Sequence, residues 1–359
     1  MRHITGIALL TILLLVGCTS NGTPLPTAVP PTAEPTATTE PTATVEPTAT
    51  AEPTATAVPP ITAANAANLQ ASAPITVTHP YQMLWSPDSA SLLAGDDAGL
   101  HTIASDGRGA IALTDTQAIT GSLSFAADGT LAALQDNHVI NVYAPESLQL
   151  RQTIPFSGTA TSVTISPDGR QLAVTSADNI AVTLYDTATG QPTTTLSGFE
   201  TAAPVYSVKF DPTWHTAIWV ARATVQLMDV ATGQLGARFE HEDFVAALAL
   251  SPDGRILATA VSATINGQFT PIIKLWDAQT GAEIAMLPQP ALVASLSFSP
   301  DGALLAAGNI EGNILIWDVA RQTQVAALND NVEQVRQVAF SPDGRFLAAS
   351  DGQLRLWQP

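Results

Sequence analysis

The side chains that could carry chemistry in this chain of 359 residues are few. There is one cysteine, Cys18, and there are two lysines, Lys209 and Lys274. Beyond the first twenty residues the histidines are His79, His101, His138, His215 and His241. A lone cysteine makes neither an internal disulfide nor a thiolate metal site. No G-x-S-x-G elbow, phosphate-cradling Walker loop or H-E-x-x-H zinc helix occurs. Acidic residues outnumber basic ones by 31 to 13, a net charge of −18, which excludes a basic face for nucleic acid or anionic lipid. Solubility accounts for most of that charge, and a cationic partner or a divalent ion is the functional reading of it. Neither cofactor nor metal is expected.

The elements that must position these residues are set by a repeat. A tetrad of the type Ser-Pro-Asp-Gly begins at Ser86, Ala126, Ser166, Asp211, Ser251, Ser299 and Ser341, at spacings of 40, 40, 45, 40, 48 and 42 residues. Pro suits the second position of a turn, Asp the third, and Gly supplies the backbone conformation that rejoins two strands. Between tetrads lie short apolar runs bounded by Gly, Asp and Asn, such as "SLSF", "LLAAG", "ILIW" and "QVAAL" in the sixth unit, which read as strands. The third strand ends in an aromatic and an aspartate at Trp317-Asp318, Trp276-Asp277 and Tyr185-Asp186, and in Met228-Asp229. "DTATG", "DVATG" and "DAQTG" then form a second tight turn.

These units resemble WD-repeats over about 75–359, and a period of ~40–45 residues suits four-stranded propeller blades. The resemblance implies an all-β, seven-bladed β-propeller. Two features depart from the family pattern. No Gly-His dipeptide opens the units, so the family's buried His–Ser/Thr–Asp–Trp network is expected to be largely absent. Ile103-Ala104 and Tyr143-Ala144 stand where Trp-Asp belongs. The chain ends just after the third strand of its last unit, so an N-terminal strand, expected in "PITVTH" at 74–79, must close the ring.

The first 68 residues have another character. "MRHITGIALLTILLLVGC" has a basic start and an apolar run from Ile7 to Val16, too short to span a bilayer and suited to a secretory signal. "LVGC" at 15–18 resembles the bacterial lipobox, which implies lipidation of Cys18 and an extracytoplasmic protein anchored to the bacterial membrane or envelope. Residues 24–60 hold ten prolines and a six-residue Glu-Pro-Thr-Ala-Thr repeat, the composition of an extended, disordered stalk. The expected organisation is therefore a signal peptide at 1–17, a lipidated cysteine with a Pro/Thr/Glu stalk at 18–68, and a monomeric propeller at 69–359.

The inner strands read "YQMLW", "TGSLSF", "TSVTI", "YSVKF", "AALAL", "ASLSF" and "RQVAF" and contain no Asp, Glu or His for a channel metal. Lys209 stands where the others carry Leu, Ser, Thr or Ala, and reads as a snorkelling lysine rather than a reactive one. The histidines, at unrelated repeat positions, read as surface or packing residues. The resemblance puts the regular turns on one face and the irregular loops before each inner strand on the other. Those loops are acidic, and the expected partner contacts are Glu200, Glu242, Asp243, Asp330 and Glu333, with Phe269 on a hairpin whose tip is Asn266-Gly267. The expected function is non-catalytic binding, a scaffold for an unidentified protein or peptide of basic character. The competing expectation is an enzyme or small-ligand sensor at the channel mouth, of lactonase-like or quinoprotein-like type.

Overall fold

The computed structural model of the chain describes residues 58–359 except 78–79, 81, 97–98, 107–109, 113–121, 136–137, 146, 177–180, 198–206, 212, 266–267 and 330–332. Cys18, the signal, the Pro/Thr stretch up to residue 57, Glu200 and Asp330 lie outside the described residues.

Each tetrad turn joins the first two strands of an antiparallel four-stranded sheet, and there are seven such sheets. The inner strands are Gln82–Trp85, Leu123–Phe125, Ala160–Ile165, Ser207–Phe210, Ala247–Leu250, Val293–Phe298 and Gln337–Phe340. They follow one another around a ring, with the seventh packed against the first. A second strand such as Leu304–Asn309 is buried along its whole length because a neighbouring blade covers each of its faces. An outer strand such as Glu283–Pro288 is mostly exposed. The core is accordingly divided among seven clusters, one in each space between blades. The protein is an all-β, seven-bladed propeller, and its one helical turn among the described residues is a 3-10 turn at Ala66–Asn68.

Blade seven consists of Gln337–Phe340, Leu347–Ser350 and Leu354–Gln358, completed by an outer strand from the front of the chain. That strand is Gln70–Ala71, which pairs with Gln358 and Trp357, and not the 74–79 run expected from its alternation. Ile75 adds one bridge to Leu354. Pro74 has no amide to donate, so a ladder cannot run continuously through it. Ser72 spans the gap by donating its amide to the Leu356 carbonyl at 2.7 Å. The compact unit also begins before residue 69. Ile61 donates its amide to the Gly344 carbonyl, and Ile61, Ala66 and Leu69 are buried with Phe340 and Trp357. Three apolar side chains dispersed among Thr, Ala and Asn leave no periodic pattern to read.

The tetrad turns share one hydrogen-bond design. In the units starting at Ser86, Ser166, Ser251, Ser299 and Ser341, the hydroxyl donates to the turn aspartate at 2.6 Å. The same hydroxyl accepts the amide five residues on, for example Ile256 at 2.9 Å. At Asp88, Asp168 and Asp253 the carboxyl is held below the ordinary range, with the serine hydroxyl as the main cause in each. The last tetrad position needs the left-handed backbone, as at Gly254 with φ 72°. Blade four puts Trp214 there at φ 63°. Its ring stacks on Phe210 at 4.1 Å, and its Nε1 donates to Gln171, contacts that offset the strain. Asp211 takes over the serine's role in that unit by accepting the Thr216 amide.

Blade five departs from its neighbours on the opposite face. Its second and third strands, Ile256–Ile265 and Gln268–Asp277, are ten residues each against six for Leu304–Asn309 in blade six. The tip expected at Asn266-Gly267 lies outside the described residues, and the two strands pair as far as Ile265 with Gln268, as the expected hairpin requires. Four extra residues at ~3.3 Å each carry it roughly 13 Å beyond the neighbouring blades.

Candidate binding face and blade seam

In blades three, five, six and seven the residue six places before the last of the inner strand belongs to the loop leading into it. In blades three and seven that residue is Thr159 or Gln334, and in blades five and six it is Phe244 or Leu292. Phe244 and Leu292 are 44% and 36% exposed. Ile310, 44% exposed, donates its amide to the Leu292 carbonyl and so adjoins it. Glu242 and Asp243 precede Phe244, Glu311 follows Ile310, and all three are exposed. The result is an apolar rim at blades five and six with acids beside it.

Of the expected contact residues, the structure brings Glu242 and Asp243 together in one loop, where Asp243 accepts the Phe244 amide at 2.8 Å. Glu333 is exposed in the loop before blade seven, its carboxylate lying over Gly352. The Phe269 backbone is in the projecting hairpin, and its side chain lies outside the described residues. Phe244, Leu292 and Ile310 were not among the expected contacts. Aligning the residue six places before the last residue of each inner strand would have revealed the first two.

Inside the rim, side chains of one inner strand bridge to the backbone of the next. Ser295 and Ser297 of blade six accept the amides of Val338 and Phe340 in blade seven at 3.0 and 3.1 Å. Ser124 accepts the Ile165 amide, and Ser122 donates to the Val163 carbonyl. Gln82 accepts the Leu123 amide, while Gln337 both accepts from the Met83 amide and donates to its carbonyl. Between blades five and six the corresponding residues are Ala247 and Ala249, which have no polar atom to offer. A cavity of about 200 Å³ opens there, lined by Lys209, Val220, Phe244–Leu248 and Ala294–Leu296.

Lys209 occupies the bridging position of blade four and does not snorkel outward. Its Nζ crosses the seam and donates to the Leu248 carbonyl at 3.2 Å. Desolvation by the surrounding wall lowers its pKa from the ordinary lysine value, although the side chain remains open to the channel.

A cavity of about 560 Å³ opens on the turn face between blades one and two, over Leu93, Phe125 and Leu148. Its polar groups are engaged in the turns themselves, Asp88 by Ser86 and Ala90 and Asp128 by Thr130. Among the described residues no group of three or more His, Cys, Asp or Glu could hold a metal ion. Nor is any helix among them long and apolar enough to cross a membrane.

The family's buried network is more complete in blade five than the missing Gly-His dipeptide implies. Trp276 Nε1 donates to Thr259 Oγ1 at 2.9 Å, and Thr259 Oγ1 lies 2.9 Å from His241 Nε2. His241 Nδ1 lies 3.1 Å from the Ala223 carbonyl. One tautomer satisfies the chain: Nδ1–H donates to Ala223, and Nε2 accepts from the threonine hydroxyl. Burial lowers the His241 pKa, consistent with a neutral ring. His241 therefore has a defined place in its repeat and is not at an unrelated position. In blade six, Gln289 and Ala307 replace His241 and Thr259, and Trp317 Nε1 and Gln289 Oε1 have no hydrogen-bond partner.

Comparison with known proteins fits this arrangement. The family profile "WD domain, G-beta repeat" matches residues 233–277, 283–318 and 322–358. Each match runs from the outer strand of one blade through the third strand of the next, so His241, Thr259 and Trp276 belong to one sequence unit. Among solved structures, the chain is similar to Kuenenia stuttgartiensis hydrazine synthase at 16% identity and a TM-score of 0.67, over 79% of this chain and 97% of that one. With 1813 matching chains among solved structures, such likeness establishes the fold and selects no activity. No curated protein matches the chain. The chain carries WD40 repeats in a seven-bladed propeller.

Proposed function

We propose that this protein is a non-catalytic binding module whose loop face, at blades five and six, docks a basic protein or peptide. WD40 propellers are often used for protein interaction, and one observation carries the assignment to this face. Phe244, Leu292 and Ile310 are exposed together beside Glu242, Asp243 and Glu311. Apolar anchors with a charged rim are the anatomy of a protein interface, where the rim steers association and the anchors resist dissociation. The projecting hairpin that contains Phe269 extends the same face, and Glu333 continues it toward blade seven. Glu200 and Asp330, which precede the inner strands of blades four and seven in the sequence, complete the acidic set. We place the propeller outside the cytoplasmic membrane, held by lipid on Cys18 through the Pro/Thr stalk, on the strength of "LVGC" and the absence of any second cysteine.

The test uses the full chain as bait in crosslinking capture, with two double variants. Leu292→Ser with Ile310→Ser should lose the captured protein, while Arg255→Ser with Arg345→Ser on the turn face should retain it. The opposite outcome places the docking surface on the other face. Cys18→Ser should abolish palmitate labelling; a variant that still labels rules out the anchor.

A further inference from the structure

The cavity at the seam of blades five and six has a chemistry that the docking face does not require. Val220, Phe244 and Leu248 form its apolar side, Ser295 also lines it, and Lys209 is its only titratable lining residue. Among the described residues the amine has one partner, the Leu248 carbonyl, and no carboxylate. An amine open to the channel and without a counter-charge is available to an incoming anion, with no ion pair to break.

A second donor comes from the incomplete seam. Val338 and Phe340 in blade seven have amides that point across the seam and are capped by Ser295 and Ser297. The equivalent amides of blade six belong to Leu296 and Phe298, and they face Ala247 and Ala249. Leu296 lines the cavity with Lys209. The pocket thus brings together a cationic amine, an uncapped backbone N–H and an aliphatic wall. Its volume of about 200 Å³ is that of six or seven water-sized groups at ~30 Å³ each.

We propose that this pocket binds a carboxylate on a short aliphatic stem, with Lys209 Nζ as the counter-charge and the Leu296 amide as a hydrogen-bond donor. The carboxylate belongs either to a free small acid or to the C-terminus of a peptide chain. The pocket goes beyond the docking reading and stands without it. The two also differ in sign toward salt. Glu242 and Asp243 at the rim repel an approaching anion, so moderate salt leaves carboxylate affinity unchanged or raises it. The same salt slows association of a basic partner, because exposed charges are screened more than enclosed ones.

The experiment titrates the full chain with n-hexanoate, n-hexylamine, an acetylated pentapeptide ending in leucine, and the C-terminal amide of that peptide. At least one acid should bind saturably, and neither the amine nor the amide should. Lys209→Met keeps the stem and removes the charge, so the binding acid should weaken by more than about tenfold, as expected for a charge-assisted hydrogen bond. Binding of hexanoate identifies a free small acid as sufficient, and binding of the peptide acid alone identifies a chain terminus. A Lys209→Met protein with an unchanged melting temperature and undiminished acid binding overturns the proposal, as does a wild-type chain that binds neither acid. The Leu292→Ser, Ile310→Ser variant should bind the acid normally, so failure of docking and failure of the pocket are separable.

Discussion

Two seams of the same ring differ by two hydroxyl groups on each side of blade six. Where blade six meets blade seven, Ser295 and Ser297 cap the amides of the next inner strand. Where blade five meets blade six, Ala247 and Ala249 leave them uncapped, and a cavity opens beside a lysine. The strands, turns and apolar clusters on either side follow one pattern. The comparison teaches that a regular propeller holds its fold by turns and burial whether or not the amides at a seam are capped. The fold tolerates that gap because each space between blades has its own core.

The largest way to break the comparison is to open the ring. Deleting residues 60–75 removes Ile61, Ala66, Leu69 and Ile75 from the core and bares the edge of Leu354–Gln358. At ~1.5–3 kcal/mol per large buried side chain, the melting temperature should fall by about 10 °C or more. Deleting 24–57 should leave it nearly unchanged. Calorimetry of both deletions decides the matter, and equal losses would mean that closure by the N-terminal strand contributes little.

A smaller effect comes from the buried network of blade five. Thr259→Val strands Trp276 Nε1 and His241 Nε2 together, and should cost about 1–3 kcal/mol by chemical denaturation. Burial also makes His241 a source of pH dependence. With its folded pKa below the unfolded value of ~6.5, the unfolded chain takes up the proton first. Stability from this group is therefore complete above ~6.5 and falls as pH drops from there through the folded value. Replacing His241 by Gln should flatten that part of the stability profile, and an unchanged slope would assign it elsewhere.

At the seams themselves the effects are smaller still. Ser295→Ala and Ser297→Ala should each cost about 1 kcal/mol. Ala247→Ser should gain no more than that, and it should weaken acid binding by capping Leu296. Lys209→Met should be neutral to slightly stabilising, within about 1 kcal/mol, because it removes a desolvated charge that is still open to channel water.

The blades were legible because their signals are local. Ser251, Pro252, Asp253 and Gly254 make their turn almost entirely with one another and with the residues just after them. The closing strand was misplaced by a few residues because Gln70–Ala71 is only two residues long and its apolar neighbours have no period. The seam was not legible, since its bonds join residues 41 to 43 apart in sequence that meet only when the ring forms. The acidic loop residues were visible as charge, but the apolar Phe244 and Leu292 only continue the apolar runs "FVAALAL" and "LVASLSF" and carry no distinguishing signal. His241 was hidden because its partners, Thr259 and Trp276, are 18 and 35 residues away on two other strands.

Amide hydrogen exchange across blade six measures the seam difference most directly. The amides of Leu296 and Phe298 should exchange far faster than those of Val338 and Phe340, and Ala247→Ser should slow Leu296 selectively. Whichever of the two acids binds should slow the same Leu296 amide in the wild-type chain and leave Val338 as it was. Equal protection of the four amides in the free protein would mean that the blade five to six seam is as closed as its neighbour, and the account of the pocket would be wrong.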